Sequence, residues 1–302
     1  MLTTQERERA YRAMSLARAL DEKMWRLARA GRAHFAVPCA GHEAVSIGYA
    51  LHLEPGRDYV APHYRDLGAM LVLGMPPRDV MLHFFAKRSD PNAGGHQPYA
   101  HWGSRKLGIL SQQGPQPNQV THGVGSAWAS KYTRDGGVTI VAYGDGGAQK
   151  GEVHEAMNFA AVHALPCVFV VHRNGYTQSV RSTLEYKEQV LAKRAAGYGI
   201  PGITIDGADV DVVSATAQEA IERARRGEGP TLIDAVCKRF MPNTSNDDDS
   251  IYRSAEERAS IRDRDPLALL RALIEPAFAA AVDAESAQTA EDAATWAEDQ
   301  AA

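Results

Sequence analysis

The residues best suited by type and spacing to do chemistry lie between Gly144 and Tyr176. An apolar run, VTIVAY (138–143), ends in Gly144-Asp145-Gly146-Gly147, and a second, CVFVVH (167–172), continues into Arg173-Asn174-Gly175-Tyr176. Parallel strands joined by a helix place their carboxyl ends at one edge of a sheet, where open α/β sheets bind ligands. Asp145 and Asn174 emerge together there if the two strands are neighbours joined by a helix over about 152–165. Both offer oxygen, the ligand type that Mg2+ or Ca2+ takes. The glycines let backbone N–H groups approach a phosphate, and the N-terminus of the following helix adds a favourable dipole. Taken alone, however, GDGG also reads as a simple strand-to-helix turn.

The elements that must position these residues fall into two parts. The first is helical: a long helix from about Thr4 to Ala30, with Thr3 and Glu6 as a capping box and Gly31 as its stop, then runs near 42–53, 66–73 and 78–87. Residues 89–119 break every periodicity with Gly, Pro, Gln and His, and a stretch of that length in an ordered domain points to function. From Val138 the pattern alternates, with strands at 138–143, 167–172, 203–206 and 231–236 and helices at about 152–165, 188–198 and 209–226. Thr216 and Glu219 form a capping-box pair inside the last of these helices, which puts its start in question. Apolar β-branched strands separated by helices predict a doubly wound, mostly parallel α/β sheet flanked by helices. No internal repeat or linker divides the chain, so residues 1–278 read as one domain with an N-terminal helical part. Residues 279–302, rich in Ala and carrying only acidic charges, read as a helix fraying into a solvated tail.

Bulk properties exclude several classes. The 302 residues are 44% hydrophobic and 23% charged, ordinary for a protein with a full core, and the net charge of −4 argues against nucleic-acid binding. No apolar stretch is long enough to span a membrane, and MLTTQERERAYRAM is charged where a signal peptide is apolar. Cys39, Cys167 and Cys237 are isolated thiols without ligand spacing, best read as packed side chains in a reduced, cytoplasmic setting.

Spacing narrows the chemistry. Between Gly146 and position 173 lie 26 residues, matching the thiamine-diphosphate motif GDG-x26-NN, whose second Asn is Asn174 and whose first is replaced by Arg173. Nucleotide motifs fit worse, because the third glycine of GxGxxG is missing and no GxxxxGK[ST] occurs. The segment GDGGAQKGEVHEAMNFAAVHALPCVFVVHRNGYTQSV resembles the cofactor segment of α subunits of thiamine-dependent 2-oxo-acid dehydrogenases. GHEAVSIGYAL, APHYRDLGAMLVLGM, KRSDPNAGGHQPYAHWG, GYGIPGITIDGADV and NDDDSIYRSAEE extend the resemblance from about residue 34 to 270, closest to the branched-chain (2-oxoisovalerate) type.

The resemblance implies a thiamine-diphosphate-binding fold with Mg2+ on Asp145, Asn174 and the carbonyl of Tyr176. It implies a diphosphate site formed by Tyr64, Arg65, Gly144, Gly146 and Gly147; an Arg suits this role because its planar fork bonds two phosphate oxygens. Three cofactor-side positions depart from the family pattern: His172 matches a usual Arg, Asn243 a usual His, and Gln116 a small apolar residue. The implied reaction is oxidative decarboxylation of a 2-oxo acid with acyl transfer to a lipoyl-bearing transacylase. The chain offers no carboxylate assignable to the cofactor's aminopyrimidine ring, and in the family a β subunit supplies it, so an α2β2 assembly follows, inactive as the isolated chain. His101 matches a family His that faces the site, whereas His96 and His122 read as loop hydrogen-bonders. Asp247-Asp248-Asp249 reads as a structured loop beside the cofactor, and Thr244, Ser245 and Ser250 as solvated hydroxyls. Two alternatives remain open: the α subunit of an acetoin dehydrogenase, or a non-catalytic cofactor-binding paralogue.

Overall fold

The computed structural model of the chain describes residues 1–112 and 116–301. The N-terminal part is helical: α1 (Thr4–Arg29), α2 (Glu43–Ala50), a short strand β1 (Tyr59–Ala61), α3 (Leu67–Val72), α4 (Pro77–Phe84) and α5 (Gln119–Thr133). There follow β2 (Thr139–Gly144), α6 (Gly151–Val162), β3 (Cys167–Arg173), a two-stranded ribbon of β4 (Tyr176–Thr177) and β5 (Val180–Arg181), β6 (Gly202–Asp206), α7 (Val210–Arg225) and β7 (Thr231–Val236). Helices α8 (Ala255–Ser260), α9 (Pro266–Arg271) and α10 (Pro276–Glu298) complete the chain.

The main sheet has five strands in the order β1-β2-β3-β7-β6, every neighbouring pair parallel. Strands β2, β3 and β7 are buried on both faces, which explains their nearly continuous apolar sequences, while the edge strand β6 is partly exposed. Ile140, Val168 and Val170 face one core cluster with α1 and α2, while Val141, Phe169 and Val171 face another with α5 and α6. β2 and β3 pair in register, Gly144 opposite His172, so Asp145 and Asn174 leave the sheet at the same edge, as the strand pattern implied.

The capping box of α1 is formed: the Thr3 hydroxyl accepts from Glu6 N and Glu6 accepts from Thr3 N. The start of α7 differs from the internal Thr216–Glu219 pair, because Asp209 caps it by accepting from Asp211 N and Val212 N, and Thr216 bonds back to Val212 O instead. The segment expected as a helix over 188–198 is a 3-10 helix, Leu191–Tyr198, ended by Gly199 at φ +67°. Strand β1 and helix α5 gave no sequence signal. The first has three residues, and the second carries Gly123 and Gly125 and no clean apolar stripe.

The Ala-rich end is not a frayed, solvated tail. α10 packs on α1 and α4 through buried Ala279, Val282, Ala290, Ala293, Ala294 and Ala297, a stripe whose small side chains allow close helix approach. Its acids pair with α1 and its flanks, Lys23 with Glu291 at 2.6 Å and Arg32 with Glu298. All three cysteines are buried and free. No helix among the described residues is long and apolar enough to cross a membrane.

Candidate active site

A cavity of about 600 Å3 opens at the carboxyl edge of the sheet. Asp145, Asn174 and Tyr176 lie in its wall with Gly144, Gly146 and Gly147 from the β2 end, and with Tyr64, Gln116 and Asn243 from other segments. The irregular stretch 89–119 contributes Tyr99, His101, Gln112 and Gln116, which accounts for its broken periodicity. His101 is in the wall, its Nδ1 anchored on Pro98 O at 2.9 Å, while His96 and His122 are exposed elsewhere.

The turn that carries Asp145 and Asn174 is preorganised by hydrogen bonds. Asp145 is 1% exposed; its Oδ2 accepts from Asn174 N at 2.8 Å and its Oδ1 from Gly175 N at 3.3 Å and from the Tyr186 hydroxyl at 2.8 Å. Burial pushes its carboxyl up to about 6 against the pull of these donors. Asn174 Oδ1 accepts from Tyr176 N at 3.1 Å, which fixes the amide oxygen on the same turn. Gly146 is required by closeness: a Cβ there would lie 2.5 Å from Thr177 Cγ2. The Tyr176 hydroxyl donates to Glu257, tying the turn to α8.

The positive side of the site is deeper than the cavity wall. Arg65 is fully buried behind Tyr64, its Nη1 donating to Pro38 O at 2.5 Å and its Nη2 to Asn243 Oδ1 at 2.8 Å. Arg239, 1% exposed, donates to the same Asn243 oxygen at 3.0 Å. Among the described residues neither arginine has an ion-pair partner, and the Nε of each is buried without a hydrogen bond. Burial, with Arg65 close by, lowers the Arg239 guanidinium to about 10. Two buried guanidiniums beside a cavity with no direct ion-pair partner among the described residues form a cationic pair that a polyanion such as a diphosphate suits. The oxygen donors of the turn and this cationic pair therefore fit a divalent metal and a diphosphate.

Two candidate positions are placed differently from their expected roles. His172 is fully buried and absent from the cavity wall: its Nε2 lies 3.1 Å from Asp66 Oδ1 and its Nδ1 lies 3.1 Å from His42 Nδ1. It stacks with His42 and with His63, and His63 reaches the cavity in its stead. Burial, the neighbouring His172 ring and the Arg65 guanidinium hold His42 and His63 well below the usual histidine range. Arg65 braces the wall through Asn243 and does not line it. Asp247 shapes the loop by accepting from Asn243 N at 2.7 Å and from the Tyr252 hydroxyl at 2.5 Å. Ser245 is not solvated: it is 2% exposed, and its hydroxyl accepts from Ala36 N.

Sequence reasoning missed Glu185 and Lys150 in the cavity wall and Tyr186 behind it. Glu185 and Tyr186 belong to no motif and arrive through a turn that folds back on the site, whereas Lys150 follows the GDGG turn directly, at the N-terminus of α6. Arg173, the residue replacing the first motif Asn, turns away and pairs with buried Asp234 at 2.7 Å.

Residues 11–300 match the family described as the dehydrogenase E1 component. This chain belongs to that family. It is 43% identical over 273 residues to a 2-oxoisovalerate dehydrogenase subunit alpha of Bacillus subtilis, covering 90% of this chain and 83% of the relative. It is 37% identical to a 3-methyl-2-oxobutanoate dehydrogenase subunit alpha of Mycobacterium tuberculosis, over 88% and 69% of the two chains. A pyruvate dehydrogenase E1 component subunit alpha of Zymomonas mobilis is 35% identical, over 93% and 79%. Members of the family are thiamine-dependent enzyme subunits that use thiamine diphosphate with a divalent metal in 2-oxo-acid decarboxylation.

Proposed function

We propose that the chain is the α subunit of a branched-chain 2-oxo-acid dehydrogenase that works in the cytoplasm as an α2β2 assembly with a β subunit and passes its acyl group to a lipoyl-bearing transacylase. The observation that carries this reading is the joint emergence of Asp145 and Asn174 from neighbouring parallel strands into one cavity. In it, Asp145, Asn174 and Tyr176 hold Mg2+, while Tyr64 and the Gly144–Gly147 turn hold the diphosphate, with Arg65 bracing the wall behind them through Asn243. Thiamine diphosphate bound there supplies a nucleophilic carbon and an electron sink. His63 and His101 present imidazoles to the remaining space, and Gln116 and Asn243 bound it.

The wall carboxylates support the need for a partner. Asp145 is committed to the metal turn, and Glu185 accepts from the Thr177 hydroxyl. The resemblance to the family assigns the acid that addresses the aminopyrimidine ring to the β subunit. Co-purification with that subunit, calorimetry with thiamine diphosphate and Mg2+, and a panel of branched 2-oxo acids, pyruvate and acetoin test the reading. Cofactor binding with turnover of branched 2-oxo acids is the expected result; preference for acetoin, or turnover by the isolated chain, refutes it.

A second reading, a non-catalytic paralogue, is favoured by Asn243, which cannot carry a proton and whose oxygen is taken by two arginines. Cofactor binding without turnover by the assembled complex identifies it.

A further inference from the structure

The two oxygens of the Asp145 carboxylate are unequally used. Among the described residues, Oδ1 accepts from the Tyr186 hydroxyl at 2.8 Å and from Gly175 N at 3.3 Å, whereas Oδ2 accepts from Asn174 N alone, at 2.8 Å. Each oxygen of an ionised carboxylate offers about two lone-pair sites. Oδ1 is filled and Oδ2 keeps one. Two of the three donors are backbone amides of the turn that also carries Asn174. The third is a side chain brought from a separate segment.

That segment is a strap folded back over the metal turn. After β4 the chain reverses at Gln178, with φ +53°, and returns as β5. Ser182 N then donates to Gly175 O at 2.9 Å, and Tyr186 N donates to Ser182 O at 3.1 Å. Gln189 Nε2 donates to Tyr186 O at 2.5 Å, and the Ser182 hydroxyl donates to Gln189 Oε1 at 3.0 Å. The Thr177 hydroxyl donates to Glu185, next to Tyr186. The Tyr186 ring is 8% exposed and packs under the Arg194 guanidinium, 5.1 Å from its centroid. A phenol held on so many sides has little rotamer freedom left, so its hydrogen bond costs little further ordering.

We propose that Tyr186 is a positioning residue of the metal site: its hydroxyl occupies Oδ1 of Asp145 and leaves Oδ2 as the single oxygen that takes the cation. The assignment rests on the reading of Asp145 as a metal ligand. It extends the site beyond the motif to a residue that touches neither metal nor substrate. Partners that orient a ligand in this way are commonly worth 10–100-fold in metal affinity.

The test is Tyr186→Phe, which keeps the ring and its packing under Arg194 and removes only the hydroxyl. In the assembled complex with thiamine diphosphate, Mn2+ serves as the probe, and the free ion is followed by electron paramagnetic resonance. The expected result is a Mn2+ Kd about 10–100-fold weaker than wild type, with the metal-free complex melting as wild type does. Activity at saturating metal should return to the wild-type kcat, so the loss appears in the metal requirement and not in turnover. A variant that melts normally and binds Mn2+ within about twofold of wild type, or more tightly, overturns the proposal, because the hydroxyl then only fills the cation's place. If the wild-type complex takes up no Mn2+, the reading of Asp145 as a ligand falls, and the role of Tyr186 falls with it.

Discussion

Arg173 stands inside the metal motif where the family pattern has an asparagine, and its partner makes a quantitative prediction. Its Nε lies 2.7 Å from Asp234 Oδ1, and Asp234, fully buried on β7, also accepts from the Thr204 hydroxyl at 3.1 Å and from Ala192 N at 3.4 Å. Removing one member of a buried pair costs about 3–5 kcal/mol, because the other charge is left without compensation. The Arg173 side chain is 17% exposed, so water relieves part of its loss, and Asp234→Asn should cost about 3 kcal/mol. Arg173→Asn strands a carboxylate with no exposure and should cost at least as much. The double variant removes both charges and should cost less than the sum of the singles by about 2 kcal/mol, at the upper part of the range for contacting residues. At an unfolding entropy of roughly 2.1 cal/mol/K per residue, a chain of this length loses about 1.5 °C of Tm per kcal/mol, so each single should melt about 5 °C lower. Thermal and urea unfolding of the four proteins measure the cycle. Additivity within about 0.5 kcal/mol would show that the pair is not coupled and that Arg173 is tolerated for another reason.

Further outcomes follow from buried groups. Asp21 accepts from Cys39 N and Ala40 N, yet burial pushes its carboxyl up to about 7. The folded chain therefore holds this proton where the unfolded chain has released it. The stability difference between wild type and Asp21→Asn should shift against wild type as pH rises from about 4 to about 7, then level off. Urea midpoints of both proteins at several pH values check this, and a difference that does not move with pH assigns the titration elsewhere. Arg65→Lys keeps the charge but cannot fork between Pro38 O and Asn243 Oδ1. That fork is intramolecular and present before any cofactor binds, so the loss of one of its bonds, worth about 1.5–3 kcal/mol, should lower the urea midpoint of the cofactor-free chain. An unchanged midpoint would mean that the Arg65 fork does not brace the wall.

Much of the scaffold was legible because strong periodic signals survive burial. The capping box at Thr3 and Glu6, the apolar strands ending at Gly144 and Arg173, and the helix between them all carry local chemistry that tertiary contacts reinforce. What escaped was local structure without a local signal. β1 is three residues supported by its neighbour, α5 is apolar without a clean stripe, and α10 looked solvated because alanine is both a surface helix former and a close-packing residue. The site divides in the same way. Asp145 and Asn174 announced themselves through a counted spacing on two strands, and Tyr176 followed only from the resemblance. His172 sits one position before the motif's asparagine pair, and nothing in that position says that its ring faces Asp66 and not the cavity.

The sequence by itself determined the two strand ends and the spacing between them, since these depend on counting along one chain and on the alternation of apolar strands and helices, while the family followed from the resemblance of whole segments. Only the tertiary structure decided what surrounds the motif: that Arg65 and Arg239 share the oxygen of Asn243, that Arg173 is paired with Asp234, and that Tyr186 closes on Asp145. Each is a contact between segments far apart in the chain or folded back by a turn. It exists because burial leaves a charge or a lone pair that must find a partner, and the fold decides which partner is within reach.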